Sequence, residues 1–301
     1  MPRKLVLHCT YSYYSKVWLY VNSASFILTR GLFPAYYDDM PQQNIYDNEI
    51  FFEGYRKIRE RKENANTLFE IPALFSLIPD LTGKRVLDMG CGFGEHCRSF
   101  VEKGAAEVVG IDISEKMLAA ARKENADPRI RYLHLPMEEL GSLVAERGGM
   151  FDVAVSSLAL HYVEDFPGVL QNLVRLLADG GFFVFSQEHP LDTCHAGGDR
   201  WTRDADGNKL FLNVRRYSIE GERESVWFVD NVKKYHRTFS TIFNTLVENG
   251  FTVERMLEPV PSMDFMRTHP AESDLVHKPA FLLLRARKNA AEKTVSGKTG
   301  N

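Results

Sequence analysis

A buried strand that runs straight into a glycine-rich loop constrains this chain more than any other feature. The segment Arg85–Met89 is mostly apolar, and glycine stands at positions 90, 92 and 94 directly after it. Glycine lets the backbone turn tightly and approach a ligand without a clash at Cβ. The following segment, Glu95–Gly104, has a helical pattern, so its free N–H groups would face a ligand on the loop. This order predicts a doubly wound α/β sheet with a ligand site beside its first strand.

Two carboxylates indicate what kind of ligand the loop accepts. Asp88 lies at the exit of the first strand, where a carboxylate repels phosphate and favours an amine or another cation. Asp112 ends the second predicted strand about 20 residues beyond the glycines, where an acid hydrogen-bonds ribose hydroxyls in such folds. The two acids therefore predict a nucleoside ligand that carries a cationic group and no phosphate.

The spacing of the glycines argues against a dinucleotide site. A dinucleotide fingerprint has the order G-x-G-x-x-G/A, in which the last small residue lets helix and strand pack closely. Here the order is G-x-G-x-G, and Glu95 stands where that small residue would be. A nicotinamide-dependent oxidoreductase is therefore only a minor alternative.

The run Asp88–Gly94, taken with Val108–Asp112, resembles the S-adenosylmethionine (SAM) site of class I methyltransferases, specifically that of the type 11 methyltransferase domain. This domain-level resemblance covers roughly residues 84 to 187. A wider resemblance, to small uncharacterised methyltransferases, runs from about Gln42 to Lys288 and depends on short motifs. These motifs are Tyr46-Asp47 with Phe51-Phe52 and Tyr55, Ser156–Tyr162, Phe185–Pro190 and Tyr235–Thr238. The resemblance implies methyl transfer from SAM and a Rossmann-like seven-stranded sheet with helices on both faces and an antiparallel last hairpin.

The chain is long enough for one enzyme domain with additions. It has 301 residues, of which 44% are hydrophobic, so it can bury a large core. We expect a methyltransferase domain over residues 41–288, in which 41–80 form a helical lid and 190–234 form an insertion after the fifth strand. Residues 1–40 are expected to be a disordered extension, and 289–301 a disordered tail. Organelle targeting is the alternative for the extension, because no residue before position 38 is acidic.

The composition bears on partners and location. A net charge of −3 supplies no general attraction to nucleic acid. No apolar run in the N-terminal region approaches the roughly 18 residues that a membrane-spanning helix needs, and no membrane span is expected. The four cysteines lack paired C-x-x-C spacing, so neither a zinc site nor a disulfide framework is indicated. A reducing, cytoplasmic location is the default, with mitochondrial targeting as the alternative.

Alternating strands and helices are predicted through the domain. The predicted strands are Arg85–Met89, Glu107–Asp112, Ile130–Leu135, Phe151–Ser157, Phe182–Gln187, Phe251–Glu258 and Ala280–Arg287. The predicted helices are Asn48–Glu63, Asn66–Ile78, Glu95–Lys103, Ser114–Asn125, Glu138–Glu146, Phe166–Ala178 and Phe239–Asn249. Gly180 and Gly250 are interpreted as glycines that end two of these helices.

Because the ligand lies over the carboxyl ends of the strands, the loops after the first five strands are expected to surround one cleft. The predicted cofactor-binding residues are Tyr46, Asp88, Gly90, Cys91, Gly92, Gly94, Asp112, Ile113, Met117, Met137, Glu138 and Ser156. The resembled family usually has Asp where Pro136 stands here. Proline offers no side-chain acceptor and no N–H, so adenine would depend on Met137, with Glu138 as an acceptor. A core position is the alternative for Met117.

Three histidines near the predicted cleft are candidates for catalysis. The methyl donor is already activated, so alignment and exclusion of water can supply most of the rate. A base is needed only when the acceptor is protonated. The candidates are His161, His189 and His236, and packing or a structural hydrogen bond is the alternative for each. His96 would contact SAM or pack behind the loop.

The acceptor is only partly constrained. The run Ser156–Ala159 lacks the Asn/Asp-Pro-Pro-aromatic signature that grips a planar amide or exocyclic amine. The aromatic residues of the lid and of the insertion suit a small, partly apolar acceptor, although they also suit ordinary helix and core packing. The basic run from Arg56 to Lys62 is interpreted as a solvated face. A SAM-binding sensor or catalytically silent subunit is the alternative to an active enzyme.

Overall fold

A computed structural model describes residues 43–61, 63–269 and 274–290 of the chain. The predicted N-terminal extension, 1–40, lies outside the described residues, as do all but two residues of the predicted tail.

A mixed sheet forms the centre of the described chain. Its seven strands lie in the order β10-β11-β5-β4-β1-β2-β3. They are β1 (Arg85–Met89), β2 (Glu107–Asp112), β3 (Ile130–His134), β4 (Phe151–Ser157), β5 (Leu177–Glu188), β10 (Phe251–Leu257) and β11 (Phe281–Lys288). The pairs β3–β2, β2–β1, β1–β4 and β4–β5 are parallel. Strand β11 is antiparallel to both β5 and β10. The Rossmann-like sheet with an antiparallel last hairpin is therefore confirmed.

The described residues form nine α-helices. They are α1 (Glu49–Arg59), α2 (Ile71–Leu77), α3 (Glu95–Glu102), α4 (Glu115–Glu124), α5 (Leu140–Arg147), α6 (Phe166–Leu176), α7 (Pro190–Thr193), α8 (Phe239–Glu248) and α9 (Met263–Thr268). Of these, α2, α3, α4, α6 and α8 pack on the faces of the sheet. One apolar core contains Leu74 of α2 and Phe100 of α3, and the other contains Leu170 of α6 and Leu246 of α8. The two cores lie on opposite faces because side chains alternate along each strand.

The ends of α1 and α6 differ from the predicted bounds for identifiable reasons. Helix α1 begins after Asn48, whose side chain accepts hydrogen bonds from two backbone N–H groups, and it ends at Arg59 rather than at position 63. The predicted helix over 166–178 ends at Leu176, because β5 already pairs with β4 from Leu177 onward. The interpretation of Gly180 as the end of that helix was therefore wrong. Gly180 has a φ of 73° and lies inside β5, near its irregular start.

The segment after β5 contains two β-hairpins. Strands β6 (Trp201–Arg203) and β7 (Lys209–Leu212) form one, and β8 (Gly221–Trp227) and β9 (Val229–His236) form the other. Within the described ranges, no helix is long and apolar enough to cross a membrane.

Candidate functional site

The glycine loop connects the ends of β1 and β2. The backbone N–H groups of Gly90 and Cys91 both donate to the Ile111 carbonyl at 2.9 Å. Gly94 has a φ of 77°, and a Cβ there would lie 2.3 Å from the Tyr132 hydroxyl. Gly92 has a φ of 53°, but no atom lies within 4 Å of the position that its Cβ would take. The loop is therefore packed against Tyr132 at Gly94 and open, on its front side, at Gly92.

Asp112 holds the loop and the next helix together. One carboxylate oxygen accepts from the Gly92 N–H at 2.8 Å, and the other accepts from the Ser114 N–H at 2.9 Å. Burial raises the pKa of Asp112, and these backbone hydrogen bonds oppose the shift. The Ser114 hydroxyl donates to Asp47 at 2.6 Å, which ties the N-terminal segment to the same strand end.

Asp88 lies deeper than Asp112, with 1% of its surface exposed. The Cys97 thiol of α3 donates to its carboxylate at 3.1 Å. Burial raises the pKa of Asp88 to about 7, and the thiol contact only partly opposes this. The second cysteine, Cys91, lies beside Cys97 against Gly110, where an added Cβ would come within 3.0 Å of either sulfur.

The N-terminal segment covers the loop with aromatic rings. Phe52 and Tyr55 of α1 lie 5.6 and 6.0 Å from the ring of Phe93. Tyr46 lies 5.4 Å from Tyr55 and 6.1 Å from Tyr162, which follows β4. The predicted lid segment therefore packs directly on the glycine loop.

The second hairpin packs on the outer side of α1. Trp227 lies 5.2 Å from Phe51, edge to face, and Phe228 lies 5.6 Å from the same ring. An added Cβ at Gly54 would lie 2.6 Å from the Phe228 ring, so only glycine permits this approach. The aromatic roof, defined as Tyr46, Phe51, Tyr55, Trp227 and Phe228, thus joins the predicted lid segment to the second hairpin.

Arg59 does not lie on a solvated face. Its side chain is 15% exposed and pairs with Glu95 at the start of α3. Neighbouring His96 has a buried Nε2 with no hydrogen-bond partner. Burial lowers the pKa of His96 to about 4, so the ring is neutral near pH 7. Arg59 and His96 lie along one cleft with Tyr55, Ser157 and the loop residues 90–93.

Glu70 is a buried carboxylate that the sequence analysis missed. It precedes α2 and is fully buried. One oxygen accepts from the Ser157 hydroxyl at 2.9 Å and from the Ser186 hydroxyl, while the other oxygen has no hydrogen-bond partner. Leu158, directly after Ser157, has a φ of 51°, a strained conformation for a residue with a side chain. The one signal in the sequence is an acid inside the apolar run 68–74.

Two of the three candidate histidines have both ring nitrogens bonded. His189 accepts from the Leu191 N–H at Nδ1, which caps α7, and its Nε2 lies 2.9 Å from Glu258. His236 bonds Thr193 at Nδ1 and the Tyr217 carbonyl at Nε2, each at 2.8 Å. These contacts favour structural roles for His189 and His236.

His161 differs from the other two histidines. It is 2% exposed, its Nδ1 accepts from the Glu188 N–H at 3.4 Å, and its Nε2 has no hydrogen-bond partner. Burial lowers the pKa of His161 to about 4, so the ring is neutral. Since Nδ1 accepts a hydrogen bond, the neutral ring carries its proton on Nε2. Lys234 donates to Glu188 at 2.6 Å, and the same carboxylate oxygen lies 3.9 Å from His161 Nε2, beyond hydrogen-bond distance.

The remaining predicted cofactor residues surround the loop in different ways. The Ser156 hydroxyl donates to the Met89 carbonyl at 2.9 Å and so ties β4 to β1. Met117 is 1% exposed and belongs to an apolar cluster with Phe93 and Phe52. The Met137 methyl lies 2.9 Å from where a Cβ on Gly90 would be, and Glu138 lies in the same short 3-10 helix. The Ile113 carbonyl accepts from Asn44 at 3.1 Å.

The sheet, the glycine loop and the acids at the ends of β1 and β2 define the class I methyltransferase fold and site. Residues 87–185 match the family described as a methyltransferase domain. An S-adenosylmethionine dependent methyltransferase from Mesorhizobium loti has a crystal structure that aligns with a TM-score of 0.67 and 38% identity, covering 75% of this chain and 99% of that one. The chain therefore belongs to the class I SAM-dependent methyltransferases, and SAM is its cofactor.

Two curated relatives differ in how far they extend along this chain. An uncharacterized protein of Haemophilus influenzae is 40% identical over 250 residues, which cover 81% of this chain and 97% of the relative. A ubiquinone biosynthesis O-methyltransferase of Psychrobacter cryohalolentis is 38% identical over 110 residues, only 35% of this chain and 41% of that enzyme. The similarity to the second relative therefore covers less than half of that enzyme.

The residues around the cleft fit SAM on structural grounds as well. The front of the loop at Gly92 is open, so a ligand can lie against the backbone there. Buried polar atoms without partners, Glu70 Oε2 and His96 Nε2, belong to side chains in or beside the cleft. A ligand with polar groups at its end would satisfy them.

Proposed function

We propose that this enzyme transfers the methyl group of SAM to a small, partly apolar acceptor by in-line displacement. The observation that carries the proposal is the aromatic roof, in which Tyr55 lines the cleft and packs edge to face on Trp227 of the second hairpin. An apolar wall beside the cleft suits a small, partly apolar molecule.

We propose for the loop residues, Asp112, Met137 and Glu138 the cofactor contacts that the sequence predicted. Residues 90–94 would hold the ligand against the loop backbone, and Asp112 would bind the ribose hydroxyls. Met137 and Glu138 would lie along the adenine. When bound, SAM supplies a methyl group on a positively charged sulfur, which needs no further activation.

The protein's own contribution would then be alignment and exclusion of water. The rings of Tyr46 and Tyr162 pack against each other beside the loop and keep solvent out. His161 is the one of the three candidate histidines with an unbonded nitrogen, and the proton that it carries on Nε2 makes it a hydrogen-bond donor. We therefore assign His161 the task of orienting an electronegative atom of the acceptor, rather than of removing its proton.

Methyl-labelled SAM tests this proposal. The purified enzyme is incubated with a labelled donor and a cell extract that retains metabolites, proteins and nucleic acids, and products are separated by size and identified by mass spectrometry. We expect the label in low-molecular-weight products, with release of S-adenosylhomocysteine. Label only in protein or nucleic acid would contradict the small-molecule acceptor. Binding of SAM with no turnover would favour the silent-subunit alternative.

A further inference from the structure

The strongest unexplained feature of the described chain is the carboxylate of Glu70. Its buried Oε2 has no partner, although Oε1 is held by serines from the ends of two adjacent strands, β4 and β5. An unpaired buried oxygen costs free energy, and the cost is larger for a charged group. A ligand that donates a hydrogen bond to Oε2 would remove this cost.

Two side chains that can bind an anion, Arg59 and His96, line the cleft beside the glycine loop. The Arg59 guanidinium reaches the cleft from α1, and the unbonded Nε2 of His96 lies at the start of α3. Ser157, which also lines the cleft, donates directly to Glu70. The electrostatic effect of Glu70 reaches both Arg59 and Tyr55. Arg59 and His96 therefore line one small cleft with residues 90–93, and Glu70 lies behind its Ser157 wall. Burial raises the pKa of Glu70, and the two serine hydroxyls and Arg59 oppose this shift.

The present partner of Arg59 can be replaced. Glu95 pairs with Arg59, but the Glu95 side chain is 45% exposed and can be solvated by water when it leaves. An incoming carboxylate would take over the guanidinium without leaving a buried charge unpaired. Arg59 itself is 15% exposed and keeps its position on α1.

This charge pattern selects among ligand classes. A phosphate would meet the carboxylates of Glu70 and Glu95, and a simple amine would leave Arg59 and His96 unused. An α-amino-acid group carries an ammonium and a carboxylate on one carbon, so it can satisfy all three side chains. SAM and its product both end in this group.

We propose that Glu70 binds the ammonium and that Arg59 with His96 binds the carboxylate of an α-amino-acid group in this cleft. The assignment rests on the proposed function and deepens it, because it identifies which side chains recognise the amino-acid end of the cofactor. Asp88, the acid expected from the sequence to favour a cation, instead accepts from Cys97 beneath the loop.

Ligands that lack one group at a time test the assignment. The probes are S-adenosylhomocysteine, its deamino analogue without the ammonium, and methylthioadenosine without the whole amino-acid group. Calorimetry on the wild-type protein should show the deamino analogue binding about 10- to 100-fold more weakly than S-adenosylhomocysteine. Glu70→Gln should weaken S-adenosylhomocysteine by a similar factor and leave the deamino analogue unchanged.

The controls separate recognition from folding. Arg59→Gln should weaken S-adenosylhomocysteine but not methylthioadenosine, whereas Glu53→Gln, at an exposed position of α1, should change neither. If Glu70→Gln weakens the binding of S-adenosylhomocysteine and of its deamino analogue equally, or weakens neither, the assignment is overturned. If that variant does not fold, the wild-type comparison still decides, because equal binding of the two ligands rejects an ammonium site. If the wild-type protein does not bind S-adenosylhomocysteine, that result counts against the proposed function instead.

Discussion

The backbone N–H of Gly92 donates to a carboxylate oxygen of Asp112 at 2.8 Å, so the acid at the end of β2 also holds the glycine loop. The other Asp112 oxygen accepts from the Ser114 N–H at the start of α4. One carboxylate therefore connects the loop, the strand and the next helix. A change at this position alters the structure of the site as well as its contacts with a ligand.

Replacing Asp112 should weaken both ligand binding and folding. Asp112→Ala removes the acceptor of two backbone N–H groups, which should lower the free energy of unfolding by about 1–3 kcal/mol. Binding of S-adenosylhomocysteine should weaken by about 1–3 kcal/mol through lost ribose hydrogen bonds. Urea unfolding and calorimetry measure the two effects separately. Asp206→Ala, at an exposed turn, is the control, and unchanged affinity in Asp112→Ala would argue against the ribose assignment.

The glycine loop should tolerate substitution less than a turn of similar backbone conformation. Gly94 and Gly83 have φ values of 77° and 71°, but only the Gly94 Cβ would collide with another residue, Tyr132. We expect Gly94→Ala to lower the free energy of unfolding by about 1–3 kcal/mol more than Gly83→Ala does. Thermal unfolding of the two variants measures the difference. Equal losses would mean that Tyr132 moves aside without cost.

His161 should make the protein less stable in acid. Its pKa is about 4 in the folded protein, because burial disfavours the charged ring, and about 6.5 in the unfolded chain. The unfolded state therefore binds more protons between these values, so the contribution is complete above pH 6.5 and is lost as pH falls toward 4. His161→Asn should remove roughly 2 kcal/mol of the stability difference between about pH 7.5 and about pH 5.

Urea unfolding of wild type and variant at both pH values tests this dependence. Asparagine can still accept from the Glu188 N–H, so the variant keeps that contact in a neutral form. His134→Asn, at an exposed histidine, is the matched control. If the two variants show the same pH dependence, His161 is not buried in its neutral state.

His236 should matter for folding and not for cofactor binding. His236→Phe leaves the Thr193 hydroxyl and the Tyr217 carbonyl without their partner, which should lower the free energy of unfolding by about 1–3 kcal/mol. The affinity for S-adenosylhomocysteine should stay within about twofold of the wild type, because no contact of His236 reaches the glycine loop. A larger loss of affinity in a folded variant would mean that His236 contributes to cofactor binding.

The local features of this protein could be predicted from its sequence. The bounds of β1, β2 and β4 follow from apolar runs that end in glycine or polar residues, and they agree with the structure. Asn48 and Ser114, where two helices were predicted to begin, cap α1 and α4 in the structure, because each side chain bonds a backbone N–H only two or three residues away. The resemblance to class I methyltransferases, and with it SAM, is confirmed by the family match over residues 87–185 and by a solved structure that aligns with 75% of this chain.

Only the tertiary structure decided which buried polar side chains meet. Glu70 bonds Ser157, which is 87 residues away, and His189 bonds Glu258, which is 69 residues away. A lone acid or histidine in an apolar segment is equally compatible with a ligand contact and with a structural hydrogen bond, and the partner that decides between them is set by the packing of distant elements. Near the loop, sequence patterns determined the backbone, because Gly90, Gly92 and Gly94 adopt the positive φ values that glycine permits. The direction and charge state of the buried side chains depended on burial and on long-range contacts, which no local pattern encodes.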